Sequence, residues 1–124
     1  MSFDLFNDPT MQGMEYALNS LSLRQQVLAN NIANAQTPGY TAQDVSFQDQ
    51  LARILDGGQS VVTPTETGSV VDSPDVSARS DGNTVGVESE MGKLSETSVL
   101  YDALTQLTAD RLGIFKTAIG GSSA

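Results

Sequence analysis

Residues 9–40, PTMQGMEYALNSLSLRQQVLANNIANAQTPGY, decide the fold. Met11, Leu18, Gln25 and Ile32 recur every seven residues, and so do Met14, Leu21, Leu28 and Ala35. Read as a and d positions, the two series form one seam in which Gln25 alone is polar. Asp8 offers an N-cap and Pro9 suits the first helical position. The spacing predicts a helix over 9–36, roughly 40 Å long at 1.5 Å per residue. It must stop at TPGY, because Pro38 pushes Thr37 out of helical geometry and Gly39 tolerates a turn with positive φ.

Working outward, DVSFQDQLARILDGG (44–58) places Phe47, Leu51, Ile54 and Leu55 on one helical face. Ser46 with Asp49 reads as a capping box, and Gly57–Gly58 as a terminator. Between Phe47 and Tyr101 there is no aromatic residue. Prolines and glycines punctuate this stretch, which is expected to be a mobile loop. The pairs Val61–Val62 and Val70–Val71 are candidates for short strands that order against a partner. A second long helix is expected over 87–119, with Glu88 and Glu90 at its positive end and Arg111 and Lys116 at the other.

That last helix carries two apolar stripes. Leu94, Tyr101, Leu112, Phe115 and Ile119 make one; Leu100, Leu104, Leu107, Ile114 and Ala118 make the other. A helix with a single partner needs one narrow stripe. Fixing about 60 helical residues costs on the order of 1–2 kcal/mol each, and a buried large side chain returns roughly 1.5–3 kcal/mol. A lone hairpin is therefore marginal, and the surplus stripe is expected to dock on further helices. The fold class is mostly α: a coiled-coil-like hairpin of N- and C-terminal helices, a short third helix, and a flexible centre with possible short β. The divisions fall at 1–55, 56–84 and 85–124.

Composition narrows the function. The chain has 124 residues, a formal net charge of −9 and scattered basic residues, which argues against binding a phosphate backbone. It has no histidine or cysteine to act as base, nucleophile or soft metal ligand. A calcium-loop reading from Asp81 fails, because Val85 and Gly92 occupy ligand positions; Asp81–Gly82–Asn83 reads as a turn. No enzyme, cofactor or metal is expected, and no small-molecule substrate. No apolar run approaches the roughly 20 residues that span a bilayer, and the start MSFDLFNDPT is unlike a secretory signal.

Asn30, Asn31 and Asn34 are poor helix formers within a helix. One reading leaves them on the surface near a frayed end. The other uses the amide's donors and acceptor to fix register or grip backbone, with Asn30 and Asn34 sharing a face.

The run Ala29, Asn30, Asn31, Ala33, Asn34, Thr37, Pro38, Gly39 and Tyr40 resembles the signature of flagellar axial proteins, the rod and hook family. Residues 10–47, SDGNTVGVESEM and YDALTQ extend that resemblance to the short proximal rod members. The resemblance implies antiparallel terminal helices packed into a tubular rod, and asparagines that make structural or inter-subunit hydrogen bonds. It implies a seam of Met11, Met14, Leu18, Leu21, Leu28 and Ile32 against Leu94, Tyr101, Leu104, Leu107, Leu112, Phe115 and Ile119. It also implies, as partners, other copies of itself, other flagellar rod proteins, the FliE-type adaptor and the flagellar export apparatus. The place implied is the periplasmic rod, reached by export without a cleaved signal. Another rod protein of the family, or a cytoplasmic helical adaptor or export chaperone, are the alternatives; fractionation with basal bodies separates the last.

Overall fold

A computed structural model describes residues 8–57 and 66–120. Helix α1 spans Pro9–Ala33, strand β1 Gln43–Ser46, helix α2 Gln48–Leu55, strand β2 Ser69–Asp72 and helix α3 Val87–Gly120. The carboxylate of Asp8 caps α1 by accepting from the Thr10 N–H, with Pro9 at the first position as expected. The helix ends at Ala33 rather than at Gln36. Asn34 takes the C-cap instead: its N–H donates to the carbonyls of Asn30 and Asn31, and its side-chain amide donates to the Asn30 carbonyl. The amide thus competes with the helix's own bonding pattern and closes it one turn early.

The pairing of the long helices is antiparallel: Asn31 meets Glu90, Arg24 meets Thr97, and Asp8 meets Arg111. The seam is asymmetric. Met14, Leu21, Leu28 and Ala35 are buried, whereas Met11, Leu18, Gln25 and Ile32 are half-buried. Gln25, the polar exception, donates to the Ser98 hydroxyl across the interface.

Helix α2 has no capping box. Ser46 is the exposed last residue of β1, and Phe47 occupies the N-cap without a side-chain capping bond. What holds α2 is burial, since Phe47 and Ile54 join Tyr16, Leu21, Val27 and Val45 in the main core, with Leu51 packed against it. Its end is the expected glycine: Gly57 has φ 73°. Gly13, which costs helix propensity in α1, is buried where a Cβ would stand 2.6 Å from Leu55 Cδ2. Its missing side chain lets α2 lie close to α1.

Val70 and Val71 do form a strand, and the partner is internal. Strand β2 runs antiparallel to β1, with Gln43 opposite Asp72 and Ser46 opposite Ser69. Val61–Val62 and Gly58 lie outside the described residues. The segment after β2 is tied down by hydrogen bonds as well as by the burial of Val85 against Ala35 and Ala42. Arg79 donates to the carbonyls of Ala35 and Val85, and Asn83 donates to the carbonyls of Asn34 and Thr37. The expected turn lies at Asp81–Asn83, where Gly82 has φ 82° and the Asn83 N–H donates to the Asp81 carboxylate.

Candidate assembly interface

Two structures share the hairpin: a polar collar that fixes the helix ends, and an apolar surface that the described residues leave exposed. The collar centres on Asn31, which is fully buried. Its side-chain amide donates to the Gln43 carbonyl (2.6 Å) and to Glu90 Oε2 (2.8 Å). Its oxygen accepts from the Tyr40 hydroxyl and the Gln43 N–H, both at 3.0 Å. An asparagine amide has two donors and two lone pairs, so every valence is used. One residue thereby joins α1, the post-turn chain and α3.

Of the other motif residues, Asn34 caps α1 and accepts from the Thr37 hydroxyl. Gly39 takes φ 74° and its N–H donates to Asp81. Ala29, Asn30, Ala33, Thr37 and Pro38 face solvent, and Tyr40 is half-buried. One of the two readings of the asparagines had Asn30 and Asn34 gripping backbone from a shared face. Asn31 is fully buried and makes its four side-chain hydrogen bonds within the chain.

Glu90 sits at the far side of Asn31 and is fully buried. Burial pushes its carboxyl above the usual range, and a shared hydrogen bond with Asp75 adds to the shift. Burial also pushes Asp75 up, but bonds from Glu90, Lys93 and the Gly86 N–H pull it below its ordinary value. Lys93 Nζ lies 2.7 Å from Asp75 and 3.4 Å from Glu90. Two carboxyls sharing one hydrogen bond need a proton between them, so this cluster ties the chain after β2 to α3 in a protonation-dependent way.

A second clamp joins β1 to both helices. Arg24 grips Asp44 through Nε (2.7 Å) and Nη2 (3.1 Å), and its Nη1 donates to the Thr97 hydroxyl. Burial raises the Asp44 carboxyl, and the Arg24 fork and the Val45 N–H more than offset this, leaving it low. Arg24, Asp44, Asp75 and Lys93 lay outside the sequence reading, which placed Glu90 only as a charge at the positive end of α3. Charges spaced tens of residues apart give no periodic signal, and their pairing exists only once the strands are placed.

The uncovered surface is on α3. Leu94 is half-buried, and Tyr101 and Leu104 are half-buried against the main core. Leu107 and Leu112 are about half exposed, and Ile119 is 72% exposed. From the second stripe Leu100 is 45% and Ile114 68% exposed. Phe115 is half-buried beneath the Arg111 guanidinium, 5.3 Å from its ring centre. Between the three helices runs an open apolar groove of about 560 Å³. Gly13 and Ala17 of α1, Leu51 and Leu55 of α2, and Ala103 and Leu107 of α3 are among its lining residues.

A rigid polar collar on a hairpin that leaves a long helix face bare is the layout of a helical assembly subunit. Residues 14–41 match the family model of flagella basal body rod proteins. The chain is 34% identical over 121 residues to the flagellar basal body rod protein FlgB of Bacillus subtilis, covering 90% of this chain and 94% of that one. It is 31% identical to FlgB of Escherichia coli (93% and 96% covered) and 34% identical to FlgB of Cereibacter sphaeroides (79% and 84%). The chain belongs to the FlgB family of flagellar basal body rod proteins and is a structural subunit of the proximal rod. Its relatives are structural rod proteins. Among the described residues no helix is long and apolar enough to cross a membrane.

Proposed function

We propose that the chain works without catalysis as the joint at the cell-proximal end of the periplasmic rod. It packs against its own copies, the following rod proteins and the FliE-type adaptor, and it carries torque from the export-gate and membrane-ring side to the rest of the rod. The flagellar export apparatus delivers it without a cleaved signal. The observation that carries this reading is the bare apolar face of α3, from Leu100 to Ile119, beside a firmly bonded collar. Apolar patches of this kind mark interaction surfaces, and a collar held by short hydrogen bonds transmits load better than a slipping apolar seam.

In this reading the seam residues divide in two. Met11, Met14, Leu18, Leu21, Leu28, Ile32, Leu94, Tyr101 and Leu104 hold the hairpin, whereas Leu107, Leu112, Phe115 and Ile119 serve contacts between subunits. The test is replacement of exposed Leu107 by Asp in a strain whose own rod protein is deleted. Swimming and incorporation into purified hook–basal bodies are expected to be lost while the free chain keeps its helicity. Normal swimming with the variant present in basal bodies overturns the proposal.

A further inference from the structure

The groove between the three helices has no charged lining residue, and Thr10 supplies its one polar side chain. Its near end lies at the start of α1, where Thr10 and Leu107 line it, each within about one turn of the Asp8–Arg111 pair. From Thr10 to Leu21 its α1 side runs about 16 Å. The ion pair and the cap that Asp8 makes fix the point at which residues 1–7 join the described chain.

Those seven residues, MSFDLFN, alternate apolar and polar over 1–5. An extended backbone puts Met1, Phe3 and Leu5 on one side and Ser2 and Asp4 on the other. Five extended residues cover about 17 Å, which matches the groove. Asn7 and Asp8 are turn-favouring residues at the place where the chain has to reverse. Chains entering a helix often pack back against its first turn.

Tethering selects the occupant. A segment held by a short link is present at an effective concentration on the order of millimolar. A second copy or a separate partner in dilute solution does not reach that level. The groove asks for an uncharged apolar face, and residues 1–7 carry one within reach of its near end.

We propose that residues 1–7 of the free chain fold back at Asn7–Asp8 and lie as a strap in the three-helix groove of the same molecule, with Met1, Phe3 and Leu5 turned inward. The strap shields the groove and leaves Leu112, Ile114 and Ile119 bare. Any helix that enters the groove from another molecule has to displace it. The inference goes beyond the rod reading and stands or falls separately, because it concerns the single molecule in solution.

The chain has no tryptophan, so Phe3→Trp in the full-length protein makes the strap the only indole emitter. Its emission is expected to be blue-shifted and to stay so on dilution from micromolar to nanomolar. Ala103→Glu or Leu55→Glu, each placing a charge at an exposed position in the groove, is expected to move that emission to the solvent-like red. Ala109→Glu, exposed on another part of α3, is expected to leave it unmoved. Circular dichroism checks that each variant keeps its helices. Solvent-like emission from the Phe3→Trp chain overturns the proposal. A blue shift that fades on dilution gives the groove to a second copy and overturns it too. So does a blue shift that survives both groove substitutions, since the segment is then buried elsewhere.

Discussion

Replacing Asn31 by Ala removes four hydrogen bonds at once, with no room for compensation at a site of zero exposure. Three of the partners are neutral, each contributing about 0.5–1.5 kcal/mol net, and the Glu90 bond about 1.5–3 kcal/mol if its partner is charged. Alanine's better helix propensity returns roughly 0.6 kcal/mol. The loss is therefore about 2–7 kcal/mol, a large fraction of the roughly 5–15 kcal/mol typical of a domain. At this size that lowers the melting temperature on the order of 10–20 °C. Asn30→Ala is the internal control: the neighbouring side chain is exposed, so its change should stay within about 0.5 kcal/mol. Urea unfolding of both variants, followed by circular dichroism, measures the difference. A cost below about 1 kcal/mol for Asn31→Ala, or one equal to that of Asn30→Ala, would refute the assignment of the collar to Asn31.

Stability should fall in both directions from the acid range. Glu90 has a raised folded pKa, so its contribution is complete below its unfolded value of 4.5 and is lost as pH rises through the folded one. Asp75 and Asp44 have lowered folded values, so theirs is present above 3.8 and is lost as pH falls through the folded ones. Glu90→Gln keeps a donor for Asp75 and an acceptor for Asn31, and should flatten the decline above pH 4.5 in a pH series of urea melts. Gly68→Ala sets a Cβ 2.5 Å from the Ser46 carbonyl oxygen and 2.7 Å from Phe47 Cβ, so a thermal melt should show a loss of about 1–3 kcal/mol. Arg24→Lys keeps the charge but not the fork that holds Asp44 and Thr97 together. It should cost about 1–2 kcal/mol in the same assay.

The helices were legible because their information is local. The heptad of Met14, Leu21 and Leu28 gave the buried side of α1, and Asp8–Pro9 gave its start. The stripes of α3 already implied more apolar surface than one partner needs, as the exposure of Leu107, Ile114 and Ile119 bears out. Ser46 misled because its capping signature is identical whether the backbone before it is coil or strand, and here it is the end of β1. The β1–β2 pairing was hidden for a related reason: Val70–Val71 is too short to announce a register, and its partner strand lies more than twenty residues upstream. Asn31 was quoted but not distinguished from its neighbours. Position along a helix fixes which way a side chain points only after the helix's inner face is known, and the weakly amphipathic end of α1 leaves that face ambiguous until Glu90 and Gln43 arrive opposite it.

Backbone amide exchange of the full chain, compared between dilute solution and purified basal bodies, probes most directly whether subunits complete one another's surfaces. In dilute solution, amides over 27–33 and 87–97, where the collar closes, should exchange slowly while those over 107–119 exchange fast; in basal bodies both should be slow. Slow exchange over 107–119 in the dilute monomer, matching that of the collar, would contradict the account.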